Sequence, residues 1–283
     1  MVRLGLALLV ALGAAAASAA ESDALLRESH PWARFGKGAW RQVRIITESF
    51  DEDGNPSDAS ITDNKTTVEE VTADRVTLKV EVTVELGGQR FASEPQIVTQ
   101  GYAGETVGQT VSVRALDPQT ITIDGEEIRC ETQQLEIAGG VTREKTVINY
   151  VVDRTPAILR RESTMTNADG TKTMQQITSE VRAVDMIRRV LDVLEPKTAY
   201  LVRVEQKNDR GTTSTWSWHV TDVPGEIVDE CSKKLDSEGR LVRRTTLELI
   251  DYGSVESMRS SDVEFSGPQP QYRNRRARRR ARR

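Results

Sequence analysis

From Trp40 onward, apolar and polar residues alternate with a period of two. The clearest run, VTLKVEVTVEL, sets Val76, Leu78, Val80, Val82, Val84 and Leu86 against Thr77, Lys79, Glu81, Thr83 and Glu85. Successive side chains of a strand point to opposite faces, so this spacing predicts a strand with one buried and one wet face. A helix would scatter the same six residues around its circumference. Gly87-Gly88 follows as a hairpin turn. Similar runs recur: WRQVRIITESF before Asp53-Gly54-Asn55-Pro56, TVSVRAL and QTITID on either side of Asp117-Pro118, EIRCETQQLEI after Asp124-Gly125, and REKTVINYVVD after Gly139-Gly140. Turns this frequent between β-branched runs predict an antiparallel meander.

Two stretches repeat one arrangement. VVDRTPAILRRESTMTNADG (151–170) and VTDVPGEIVDECSKKLDSEG (220–239) each run from a Val-rich segment through Asp and Pro to a charged strand and a Gly turn. The repeat spans about 130–185 and 200–253, with a fainter echo between KGAWRQVRI and KTAYLVRV. Two or three divergent copies are too few for a stacked solenoid, so the copies predict meanders lying side by side in one sheet. A sheet of ten or so strands curls, because wide flat sheets are rare. The expected fold is therefore mainly β: one large, curved antiparallel sheet, open and half-barrel-like, with one or two short covering helices. The candidate covers are the apolar run from Leu25 to Phe35 and DMIRRVLDVLEP, whose Met186, Ile187, Val190, Leu191 and Leu194 have helical spacing before Pro196.

The ends alter the picture. Residues 1–20, MVRLGLALLVALGAAAASAA, carry a basic start, an apolar run and a small-residue tail, the layout of a cleaved secretory signal peptide. The predicted location is periplasmic or extracellular. Residues 21–265 form the expected single β domain, and 266–283 the expected disordered basic tail. The chain's net charge is −4; setting aside Arg3 and the eight arginines of the last run leaves −13. An aromatic share of 5% means that the core rests on Val, Ile and Leu. Cys130 and Cys231 are the only cysteines. An oxidising compartment permits a bridge between them, worth about 4–5 kcal/mol by loop closure, without requiring it; two separate thiols are the alternative.

Candidate chemistry is sparse. His30 and His219 are the only histidines, neither within a recognisable nucleophile or metal pattern, which favours solvent-facing or interface positions. DEDGNPSD (51–58) presents Asp51, Asp53, Asn55 and Asp58, but Pro56 and Thr62 depart from a calcium loop, and an Asp-Gly turn explains it with less. No cofactor motif is present, so no cofactor is expected. Trp216 and Trp218 share a strand face and are candidate floors for a hydrophobic ligand, or core filling. Arg273, Arg275, Arg276, Arg278, Arg279, Arg280, Arg282 and Arg283 would bind polyanions without sequence discrimination, an anionic envelope surface among them. A sequence-specific nucleic-acid role conflicts with export.

WSWHVTDVPGEIV, LDSEG and LVRRTTLELIDYG resemble the LolA-like family of exported lipid and lipoprotein carriers. The opening HPWARFGKGAWRQV resembles uncharacterised secreted proteins of planctomycete-type bacteria. The first resemblance implies an open half-barrel with short covering helices; neither implies catalytic residues. Together these observations favour an exported, non-enzymatic carrier of a lipid-like small molecule held on the concave face. The alternative is an envelope structural protein fastened to anionic surfaces by its tail.

Overall fold

The computed structural model describes residues 24–191 and 196–254. The signal segment, the Arg-rich tail and residues 192–195 lie outside them. The described chain builds β1 (Trp40–Phe50), β2 (Pro56–Val71), β3 (Arg75–Leu86), β4 (Gln89–Ala92), β5 (Gln96–Gly101), β6 (Thr110–Ile123) and β7 (Glu126–Gly139). It continues through β8 (Thr142–Tyr150), β9 (Ile158–Asn167), β10 (Thr173–Arg188), β11 (Lys197–Asn208), β12 (Gly211–His219), β13 (Ile227–Leu235) and β14 (Leu241–Gly253).

All of these strands belong to one antiparallel sheet, ordered β4-β3-β2-β1-β14-β13-β12-β11-β10-β9-β8-β7-β6, with β5 also on β3. The first and last strands pair in its interior, Trp40 opposite Gly253. The two ends of the sheet, β5 and β6, are consecutive in the chain. Laid flat, they would stand about 58 Å apart at 4.8 Å per strand. Nine residue steps, Gly101 to Thr110, reach only about 30 Å, so the sheet must curl. It stays open, as the pairing along its length predicts, and Tyr102 fills the seam. Its hydroxyl donates to the Thr72 and Arg75 carbonyls at 2.6 and 3.1 Å, and its ring packs against two separate core clusters.

A strap of residues 24–35, opened by one helical turn (24–28), crosses the inward face. Leu25, Leu26 and Trp32 are buried there, as the apolar spacing foretold. Of the second expected cover, the described residues 186–191 do not form a helix, although Val190 and Leu191 do pack onto a core cluster of the sheet. Met186–Arg188 continue β10, paired with Ala199, Thr198 and Lys197, and Ile187 is 68% exposed. So short a helix is marginal unless packed, and here the β10–β11 hairpin claims its first turn. Another part of the face is covered by the end of the β6–β7 hairpin. Ile121, Ile123, Ile128 and Cys130 pack onto Leu159, Val181, Tyr200 and Val202. Pro118 separates two runs in the sequence yet sits inside β6. It is tolerated because β6 is an edge strand, and the register shifts between Leu116 and Gln119.

Candidate functional site

Beneath the strap lies a cavity of about 860 Å³. Its wall is aliphatic where Leu25 of the strap, Val152 and Pro156 of the β8–β9 connection, and Leu159, Val181 and Val202 of the sheet meet. Its polar end is built by Arg34, Tyr200, His219 and Glu226. Register explains two of these. Tyr200 is directly opposite His219, so both point inward, and their rings stack at 5.0 Å.

Glu226 arrives by a different route. The β12–β13 connection turns tightly, with the Val220 amide donating to the Glu226 carbonyl (2.9 Å) and the Glu226 amide to Val223 (2.8 Å). Glu226 itself takes a left-handed φ of 61°. The residue is 7% exposed, and its carboxylate accepts from the Tyr200 hydroxyl and pairs with Arg34 of the strap. A buried carboxylate is tolerable only when so partnered. Arg41 props the same turn by donating to the carbonyls of Gly225 (2.9 Å) and Ile227 (3.0 Å), while lying over the Trp32 ring.

Burial sets the protonation states. Desolvation, helped by Arg41, lowers His219 to about 4, so its imidazole is neutral near pH 7. Desolvation pushes Tyr200 up to about 12 against the pull of Arg34, and lowers Arg34 itself. Ser217 Oγ lies 2.9 Å from His219 Nε2, and Glu226 3.6 Å from Nδ1. That order of groups is shared with hydrolytic triads. Here, however, 3.6 Å exceeds a hydrogen bond, Glu226 is already engaged by two other groups, and Ser217 is 2% exposed and absent from the cavity wall.

The residues singled out from sequence fall elsewhere. Trp216 and Trp218 are on the opposite face of β12 from His219 and do not line the cavity. Alternation forces this, and each has an arginine over its ring, Arg203 at 5.7 Å and Arg188 at 4.4 Å. Cys130 and Cys231 are free thiols that the structure does not bring together: Cys130 is buried on β7, Cys231 exposed on β13, with five strands between them. His219 is not solvent-facing but part of the cavity. His30 is also buried, with Nδ1 accepting from the Trp32 amide at 3.3 Å and Tyr102 edge-on, and desolvation lowers it to about 4. Asp51 Oδ1 accepts the amides of Asp53 and Asn55 at 3.0 and 2.8 Å, an ordinary Asx turn. Among the described residues no group of three or more acidic, His or Cys residues is placed to hold a metal ion. Sequence reasoning missed Arg34, Tyr200 and Glu226. One signal was present: counting two residues past the matched prolines, one copy of the repeat has Ile158 and the other Glu226. An acid replacing an apolar residue in a matched turn marks the exception.

No family model matches the chain, and no curated protein does. Similar solved structures include a protein described as exported, with a YmcC-like fold, from Bacteroides fragilis. It is 8% identical, with 77% of this chain and 98% of that chain covered and a TM-score of 0.27. A protein described as a lipoprotein, from Parabacteroides distasonis, is also 8% identical, with 77% and 97% covered and a TM-score of 0.27. Neither is described as LolA-like, and values this low carry no argument from those proteins to this one.

Proposed function

We propose that this chain is an exported, non-catalytic binding protein that shelters one amphipathic molecule of lipid-like size beneath the strap. The carrying observation is the cavity itself, about 860 Å³ left between strap and sheet, within the ~300–1,000 Å³ of small-molecule sites. Its aliphatic wall suits an acyl or polyisoprenoid chain. Its polar end, where Arg34 and Glu226 neutralise one another, suits an uncharged or weakly polar head. Burial of Ser217 supports the absence of catalysis, since a substrate cannot reach its hydroxyl.

Native mass spectrometry of the exported chain, followed by solvent extraction, tests the proposal. Discrete adducts of lipid mass are expected from the natural chain. They are expected to vanish in Ser179→Trp, which fills the wall from a half-buried position. A clean unliganded mass for both chains would overturn the carrier. Ester hydrolysis lost on Ser217→Ala would overturn the non-catalytic part.

A further inference from the structure

The uncovered face of the sheet carries a stripe that no ligand in the cavity explains. Trp216 on β12 is opposite Cys231 on β13, Cys231 opposite Thr246 on β14, Thr246 opposite Ile46 on β1, and Ile46 opposite Ile61 on β2. These five uncharged side chains run straight across five strands. Trp216 is 41% and Ile46 37% exposed, and Cys231 is exposed as well.

On β13, β14 and β1 the residues two positions away on either side are charged and their signs are ordered, whereas on β12 and β2 those positions are Ser214, Trp218, Ala59 and Asp63. On one side stand Asp229, Glu248 and Arg44; on the other stand Lys233, Arg244 and Glu48, on the same three strands. A two-fold axis lying along the stripe would turn one side onto the other. Asp229 of one copy would then face Lys233 of the next, Glu248 would face Arg244, and Arg44 would face Glu48. All three strands satisfy the operation with opposite charges, and the apolar stripe would meet itself on the axis.

We infer that this face is a self-complementary interface, and that its partner is a second copy of this chain packed sheet to sheet. The curl of the sheet confines contact to its crest, and the complementary charges stand on three consecutive strands, β13, β14 and β1. Three to five strands by five residues amount to about 250–400 Å² per copy. That is well below the ~1,200 Å² total of stable complexes, so the dimer is a weak one, populated only at high concentration.

Sedimentation equilibrium of the mature chain from micromolar to millimolar concentration reads this directly. A reversible dimer is expected, weakened about tenfold by Lys233→Glu, which sets a second carboxylate against Asp229 across the axis. Asp229→Lys combined with Lys233→Glu restores the opposite signs and is expected to recover most of the dimer. Thermal unfolding of each variant monitors the fold. Cys231 supplies an independent probe. Sheets stacked about 10 Å apart hold two thiols too far for a disulfide but within reach of a short bismaleimide. Cross-linked dimer is therefore expected from the natural chain and not from Cys231→Ser, with Cys130 fully buried and silent. A monomer throughout with no cross-link would overturn the inference. So would a dimer indifferent to Lys233→Glu, or Cys231 shielded by some other co-purifying macromolecule.

Discussion

At the scale of single residues, the two histidines are the least ordinary groups in the fold. Burial holds each near 4, against about 6.5 when free. Between those values the unfolded chain binds protons that the folded chain refuses. Stability is therefore complete above about pH 6.5 and declines as pH falls toward about 4, by roughly 1.4 kcal/mol per pH unit for each histidine. Around His219, Arg41 opposes protonation and Glu226, 3.6 Å from Nδ1, favours it; desolvation decides. Carboxylates held low by hydrogen bonds, Asp63 by the Arg44 side chain and Asp236 first by the backbone amide of Arg240, add their own loss only at more acid pH. Urea unfolding at about pH 7 and about pH 5 checks this, with His30→Gln and His219→Gln each expected to remove about half of the difference. Two variants that keep the natural pH dependence would mean that neither ring is buried neutral. None of this was legible in the sequence, where each histidine stands alone. What surrounds His219 is a tyrosine 19 residues away on the next strand and the charge of Arg41 on β1.

At the scale of elements, period-two patterning located β1, β3 and β7 because their alternating faces leave no helical option. It failed at Met186–Arg188, where the spacing fits a helix but Lys197–Ala199 offers strand partners. Local pattern cannot register a partner contributed by the other side of a turn. The strap was legible as an apolar run, but its anchorage was not. Gly225 donates its amide to Pro31 at 2.9 Å and has φ +75°, and a Cβ there would stand 2.5 Å from the Trp32 ring. Gly239 closes the next turn, β13–β14, with φ +83° and open space around it. Alanine at Gly239 is expected to cost about 1 kcal/mol, the left-handed backbone alone. At Gly225 the cost is expected to be about 1–3 kcal/mol greater, because Trp32 must also shift. Equal urea midpoints for the two variants would show that the strap does not press on this turn. A larger loss at Gly225, with ligand adducts lost as well, would tie strap docking to the cavity.

For the whole molecule, the decisive fact is where the chain begins and ends in the sheet. β1 and β14 pair in the interior, whereas β5 and β6 stand at the two edges although only eight residues separate them. The chain thus runs out to one edge, crosses the seam, and returns by hairpins to where it started. Every neighbour along the sheet is local in sequence except the β1–β14 pair, which must close nearly the whole chain and is the expensive step in forming the sheet. A circular permutant removes that expense. It is opened at Val107, 76% exposed, and residue 254 is joined to residue 24 through a flexible linker of about 12 residues, which reaches about 40 Å. The strands then follow one another from β6 to β5 without a break, and Tyr102 and Ala103 remain attached to β5 to fill the seam. This permutant is expected to keep the native circular dichroism spectrum and to refold faster than the natural order, measured by stopped-flow after urea dilution. Slower refolding would show that the β1–β14 pairing is not what limits the rate. Loss of the fold would show that the intact 102–109 crossing, rather than hairpin order, holds the sheet in its curl.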